Sequence, residues 1–279
     1  MDKSSRNQRL VFITRSLLEN PGTLFSLNYF SQHLGAAKSS LSEDLALIKE
    51  VLEAGGSGVI ETQAGAAGGV RYWPVAGSSR GNQSLEELCQ VLSAPDRIIP
   101  GGYLYMTDVI FSPVWSARAG ELIASHYLSL APDYVLTVET KGIPLALMTA
   151  RVLNVPLVTA RREARVTEGP AVSINFVSGS TRRIQSMSLG RRALPRGVKV
   201  LIVDDFMKAG GTARGLQELA AESAAKVVGT AVFVETAEPT RKLVADYLSL
   251  LVIEEVDEDK KTVTIRPSQR WSARKGGGS

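Results

Sequence analysis

The sequence predicts an α/β protein in two parts: a small helical module closed by a two-stranded ribbon, then a larger domain built on a mostly parallel sheet. Three observations carry this. Apolar residues recur at helical spacing as far as Leu52 and then alternate at strand spacing as far as Trp73. A stretch poor in hydrophobic residues and rich in Gly, Ser and Asn, 75–84, follows and reads as a linker. Beyond it, short β-branched apolar runs alternate with helical segments, the pattern of a parallel sheet covered on both faces.

In the front module, Leu10, Ile13 and Leu17 form one helical stripe, stopped by Asn20-Pro21-Gly22. Leu27, Phe30 and Leu34 form a second, with Ser26 as its cap and Gly35 as its turn. Leu41, Leu45, Ile48 and Leu52 form a third, ended by Gly55-Gly56. The runs 58–62 and 69–73 alternate as two strands around a Gly/Ala-rich turn. Three short helices and a ribbon make a winged helix-turn-helix. Lys38, Ser39, Ser40 and Ser42 lie at the start of the third helix as small or basic hydrogen-bond donors, suited to a major groove. Arg71, beyond the wing tip, is suited to a phosphate or to the minor groove. A dimerisation module is the competing reading, favoured by the weak charge of this half: eight Lys/Arg against seven acids in the first 80 residues.

In the second part, strands are expected at 134–138, 155–158, 199–203 and 227–234. Ligands of parallel sheets bind at the carboxyl ends of strands, which directs attention to the segments after Val138 and Val203. After Val203 stand Asp204 and Asp205, then Phe206, Met207, Lys208, Ala209, Gly210, Gly211 and Thr212. The glycines let the backbone approach an anion, and exposed N–H groups at a helix start hold phosphate. The acids suit ribose hydroxyls or a metal carried by the ligand, and Lys208 adds a point charge. The combination fits a phosphorylated ribose. A strand cap followed by a plain turn remains the bland alternative. A dinucleotide loop fits less well, because the acids precede the glycines.

The chain has 279 residues, 44% of them hydrophobic, enough for a substantial core. It has no apolar stretch long enough to cross a membrane. The first residues lack a signal-peptide pattern. Cys89 is the single cysteine, so no internal disulfide forms, and with two histidines a zinc site is not expected. A soluble cytoplasmic protein is the expectation. The net charge of +4 is mild, but 161–199 holds nine Lys/Arg against two acids, a surface that attracts polyanions.

Val200–Thr212 resembles the phosphoribosyl pyrophosphate (PRPP) motif of type I phosphoribosyltransferases. The resemblance implies that Asp204 and Asp205 bind ribose hydroxyls and that Lys208, Ala209, Gly210, Gly211 and Thr212 cradle the 5′-phosphate. Glu139-Thr140-Lys141-Gly142 resembles the pyrophosphate loop of that family, with Thr140, Lys141 and Gly142 as ligand contacts. The stretch 161–192 would be its flexible hood.

Taken with the winged helix, the chain resembles the purine operon repressor family of Gram-positive bacteria over residues 5–265. The stretches that carry this are Lys38–Asp44, Gly65–Val70, Pro100–Tyr103, Thr140–Pro144, Val172–Gly179 and Asp204–Thr212. It implies a winged helix at 1–74, a linker at 75–84 and a catalytically idle phosphoribosyltransferase-like domain at 85–279. It further implies a homodimer on double-stranded operator DNA upstream of purine genes, released by PRPP with or without magnesium. Guanosine tetraphosphate would compete for the pocket, lined on its base side by Tyr103 and Phe206. Lys208, where active relatives often carry Thr or Ala, and the lack of an acid between Pro170 and Gly197 favour a sensor. An active purine phosphoribosyltransferase with an accessory domain is the alternative, and a PRPP-binding scaffold for an enzyme is a third.

Overall fold

The computed structural model describes residues 4–65, 68–75, 77–162, 169–177 and 184–273. The chain divides into two compact units, Met1–Arg80 with Arg151–Asn154, and Gly81–Ala150 with Val155–Ser279.

The first unit contains α1 (Arg6–Glu19), α2 (Leu27–Leu34), α3 (Lys38–Ala54), β1 (Val59–Gln63) and β2 (Gly69–Trp73). Local chemistry sets its boundaries. Ser5 and Gln8 close a capping box at α1, and Ser26 Oγ accepts from Tyr29 N–H at the start of α2. Gly35 ends α2 in the left-handed region at φ 62°. The stripes read from the sequence converge: Ile13, Leu17, Phe30, Leu34, Leu41, Leu45 and Ile48 bury together with Ile60, Val70 and Tyr72 of the ribbon. β1 and β2 pair antiparallel, Val59 opposite Trp73 and Gln63 opposite Gly69. One tie has no hydrophobic signature. Asp44 of α3 is buried to 1% exposure and pairs with Arg9 at 2.6 Å and Arg6 at 3.4 Å, fixing α3 to α1.

The second unit opens with α4 (Ser78–Leu92), β3 (Ile98–Ile99) paired with β4 (Tyr103–Leu104), α5 (Thr107–Ile110) and α6 (Pro113–Tyr127). Then come β5 (Tyr134–Val138), α7 (Gly142–Leu153), β6 (Leu157–Ala160), β7 (Ala171–Val177), β8 (Ile184–Gly190), β9 (Lys199–Met207) and α8 (Gly211–Glu222). β10 (Lys226–Thr236), β11 (Leu248–Asp257), β12 (Thr262–Pro267) and α9 (Gln269–Ala273) complete it. The main sheet runs β12-β11-β10-β9-β5-β6, parallel except for β12. Alternation along β9 sends Val200 and Ile202 into a cluster with Leu216 and Leu219 of α8 and with Phe176, Met187 and Leu189 of the β7–β8 ribbon. Leu201 and Val203 serve the opposite face, where Tyr127 of α6 donates its hydroxyl to the Thr230 carbonyl at 2.7 Å.

Several expectations need correction. The run 75–84 is not linker throughout: α4 begins at Ser78, because Leu85, Leu88 and Leu92 form a fully buried stripe that carries the polar residues before it into the helix. The strand expected at 155–158 lies at Leu157–Ala160. Pro156 has no N–H for a ladder, and its carbonyl instead accepts from Val135 N–H at 3.0 Å. β9 continues past Val203 to Met207, since Asp204, Phe206 and Met207 all pair with β10. The two acids are therefore within the strand, not beyond it. Strands β7, β8, β11 and β12 add to the four that the sequence pattern signals.

Candidate functional site

The end of β9 leads through Lys208–Gly210 into α8. Gly210 adopts φ 83°, a left-handed conformation that turns the chain into the helix, and no side chain caps the first turn. The N–H groups of Gly211, Thr212 and Ala213, which open α8, are thus not claimed by a cap, which is the arrangement that receives an anion. Lys208 is exposed, and Ala209 and Thr212 are half-buried.

The second loop, Glu139–Lys141, leads from β5 into α7 through a cis Glu139–Thr140 peptide. Thr140 and Lys141 are exposed, while Gly142 is buried. Gly142 brings the loops together. A Cβ built there would stand 2.5 Å from Thr137 Oγ1 and 2.8 Å from Asp204 Oδ1, so only glycine allows this approach. Thr137 Oγ1 is buried and has no hydrogen-bond partner among the described residues. Glu139 does not face outward as a ligand group: its carboxylate accepts from Arg162 N–H at 3.0 Å and pairs with Arg161 at 3.3 Å.

Asp204 is 4% exposed and accepts from the N–H of Asp205 at 2.9 Å. Burial, and then the neighbouring charge of Asp205, push its carboxyl well above the ordinary aspartate range, with the positive charge of Arg162 opposing. A buried carboxylate short of donors is stabilised by a ligand that brings hydroxyls or a cation. Asp205 is half-buried and lines a small cavity with Val109, Trp115, Leu145 and Phe233. Among the described residues no three His, Cys, Asp or Glu side chains gather as a metal site. The arrangement can accept hydroxyl donors on one side and present amides to phosphate on the other.

The structure places Phe206 half-buried in β9 and Tyr103 exposed on the β3–β4 hairpin. Of the hood, the ribbon β7–β8 is described, with Arg191 and Arg192 beyond it; Thr181, Arg182 and Arg183 lie outside the described residues.

On the first unit, a groove of about 480 Å³ runs between α3 and the wing. Lys38 and Ser42 line it, together with Lys49, Asn28, Thr62 and Gln63. Ser42 donates its hydroxyl back to the Lys38 carbonyl at 3.0 Å. Ser39 is exposed and Ser40 half-buried, and neither lines the groove. Arg71 is engaged within the ribbon: its guanidinium donates to Gln63 Oε1 at 2.8 Å and lies 3.6 Å from Glu61. Lys49 belongs to no sequence motif, yet its spacing of eleven from Lys38 puts both on one helical face.

A family model described as the bacterial purine repressor N-terminal domain matches residues 5–74, and a phosphoribosyl transferase domain model matches 113–267. The chain is 46% identical to the purine biosynthesis transcriptional repressor PurR of Bacillus subtilis (strain 168), across 95% of this chain and 93% of that one. It is 40% identical to the purine biosynthesis transcriptional activator PurR of Lactococcus lactis subsp. lactis (strain IL1403), across 94% and 96%. A xanthine phosphoribosyltransferase of Deinococcus deserti is 32% identical over 55% of this chain and 81% of its own. Among solved structures, adenine phosphoribosyltransferase of Saccharomyces cerevisiae superposes with a TM-score of 0.52 at 19% identity, covering 60% of this chain and 98% of that one. This last likeness shows the fold.

Proposed function

The chain belongs to the family of bacterial purine biosynthesis transcriptional regulators, and on that footing we propose that it is a repressor released from operator DNA by PRPP. It carries a purine repressor N-terminal domain and a phosphoribosyltransferase-type domain in one chain. The observation that supports the effector most directly is the contact of Gly142 with Asp204. It sets the start of α7 against a buried, donor-poor carboxylate in the strand that leads to the uncapped start of α8. A ribose carrying a pyrophosphate on one carbon and a phosphate on another satisfies both loops at once. In this reading Asp204 and Asp205 accept from the ribose hydroxyls, the 208–212 loop holds the 5′-phosphate, and Thr140, Lys141 and Gly142 hold the pyrophosphate. The winged helix of a homodimer grips double-stranded DNA through the α3–wing groove. Guanosine tetraphosphate, also a pyrophosphorylated ribose, competes for the same loops, with Tyr103 and Phe206 on its base side.

Release follows from linkage: PRPP binds the DNA-free state better than the DNA-bound state, and tenfold discrimination needs about 1.4 kcal/mol. The domain acts as a sensor rather than a catalyst, since Lys208 is a bulky cation suited to holding a ligand, and no acid lies between Pro170 and Gly197 to handle a base proton. The likeness to xanthine phosphoribosyltransferases keeps turnover a measurable alternative.

The test measures binding to duplex DNA from a purine-gene upstream region with and without PRPP, beside an assay of PRPP consumption with purine bases. DNA binding weakened by PRPP, without consumption, is the expected result. Turnover without DNA binding overturns the proposal.

A further inference from the structure

The phosphate loop rests on a segment that neither the fold nor the effector reading explains. The crossover 237–247, between β10 and β11, returns to the loop, where Leu243 N–H donates to the Ala209 carbonyl at 2.8 Å. A Cβ at Gly210 would stand 3.3 Å from Leu243 N and 3.4 Å from Val244 Cγ2, so the crossover forms the floor of the loop. Val244 and Tyr247 bury with Met207, Ala213 and Val232, which joins the crossover to the residues on both sides of the loop.

The far end of the crossover is held by charge. Glu235, 7% exposed at the end of β10, pairs in register with Met207 and so lies one strand away from the loop. Its carboxylate accepts from the Tyr247 hydroxyl and from Ser249 Oγ, the latter at 2.7 Å. The Arg270 guanidinium stacks 4.0 Å over the Tyr247 ring, with Nε 3.6 Å from Glu235 Oε1. Lys242 Nζ donates to the Thr236 carbonyl at 2.6 Å and ties the middle of the crossover to the end of β10. Arg270 comes from α9, whose next residue, Trp271, is 1% exposed and donates from Nε1 to Asn82 Oδ1 of α4 at 3.2 Å.

We propose that Arg270 is a positioning residue for the effector loop: by clamping Tyr247 onto Glu235 it holds the crossover under Ala209 and Gly210, and through Trp271 and Asn82 it ties that loop to α4. α4 is the helix that follows the winged module along the chain. That the loop receives an effector rests on the PRPP reading given above; the clamp itself does not.

The experiment follows amide hydrogen exchange in the full-length chain, comparing the parent with Arg270→Met and Tyr247→Phe in the absence of ligand. The readout is the peptide spanning 240–247, which carries the Leu243 N–H bonded to the Ala209 carbonyl, with β5 peptides as a measure of global opening. Expected is exchange at least tenfold faster at 240–247 in both variants, with β5 unchanged. Unchanged exchange at 240–247 in both overturns the clamp. Should Arg270→Met open β5 as well, Tyr247→Phe decides, because it keeps the ring and removes only the hydroxyl: faster exchange at 240–247 sustains the clamp and none refutes it. PRPP titration is the second arm, with affinity expected to fall about tenfold in Arg270→Met while DNA affinity without PRPP changes less than twofold. Faster exchange at 240–247 in the variants of a chain that does not bind PRPP leaves the clamp standing and removes the effector reading.

Discussion

A Cβ on Gly142 would stand 2.8 Å from Asp204 Oδ1, closer than carbon and oxygen pack, so the start of α7 and the first acid of β9 can be neighbours only because residue 142 has no side chain. Gly142→Ala must therefore push Asp204 or Thr137 aside. Overpacking of this kind costs about 1–3 kcal/mol. We expect Gly142→Ala to fold, to keep its DNA affinity, and to lose at least tenfold in PRPP affinity. Calorimetric titration beside a thermal melt checks this; PRPP affinity equal to that of the parent would separate the two loops functionally.

The raised carboxyl of Asp204 sets a pH dependence of stability. In the unfolded chain an aspartate titrates near pH 3.9, and in the folded chain Asp204 titrates well above its ordinary range. Between the two values the folded state holds the extra proton, so its stability is lost as pH rises through that window and levels off above the folded value. Asp108, held low by its hydrogen bond to Arg97, and Asp257, held low by Lys260, give slopes of the opposite sign. The comparison of parent with Asp204→Asn isolates the effect. We expect the unliganded variant to gain Tm relative to the parent as pH rises. A difference that stays constant with pH would show that Asp204 titrates normally.

The same carboxylate predicts a separation of functions. Asp204→Ala with Asp205→Ala removes the hydroxyl acceptors but leaves the α3–wing groove untouched. The double variant is expected to bind operator DNA as the parent does and to stay bound when PRPP is added. Release by PRPP at the parental concentration would place the effector elsewhere.

Much of this arrangement was legible in the sequence, for reasons tied to particular residues. The front module could be read because each helix buries one stripe and ends at a stop signal, Asn20-Pro21-Gly22, Gly35 or Gly55-Gly56. The segment Asp204–Thr212 could be singled out because its acids, glycines and threonine are contiguous. The crossover clamp could not, because Glu235, Tyr247 and Arg270 are far apart in the chain and meet only through the β10–β11 pairing and α9. The run Leu248–Ile253 is buried at every position, so it shows neither a period of two nor one of 3.6. The start of α4 is disguised by Gly81 and Asn82. Asn82 belongs there as the acceptor for Trp271, a reason located 189 residues away.

Asp44 predicts a stability effect in the first unit alone. It is buried at 1% exposure against Arg9, itself 15% exposed, at 2.6 Å. Removing one partner of a buried pair leaves the other charge uncompensated and costs about 3 kcal/mol or more. We expect Asp44→Ala to lower the melting transition of the winged module and to weaken DNA binding, with PRPP binding preserved. Arg6, 61% exposed and at 3.4 Å, contributes far less, so Arg6→Ala is expected to be nearly silent in the same melt. Equal effects of the two substitutions would contradict this reading.

The cations expected to meet the DNA backbone are those of the α3 groove. Lys38 and Lys49 stand on one face of α3 and line the groove beside the wing, with Lys49 only loosely paired to Glu53 at 3.9 Å. Arg71 donates from its guanidinium to Gln63 within the ribbon and lies 3.6 Å from Glu61. Each lysine that touches a phosphate releases counterions on binding, so its removal flattens the plot of log affinity against log salt by about 0.9 for every phosphate it neutralised. Lys38→Ala and Lys49→Ala are expected to flatten the slope and to weaken binding alike across DNA sequences, the signature of backbone recognition. Arg71→Ala is expected to leave the slope nearly unchanged and to act by loosening the pairing of β1 with β2. Operator titrations between 50 and 200 mM salt, on the order of the range over which such slopes are resolved, decide the matter. A slope that falls for Arg71→Ala but not for the lysines would move the phosphate-binding surface from the α3 groove to the wing.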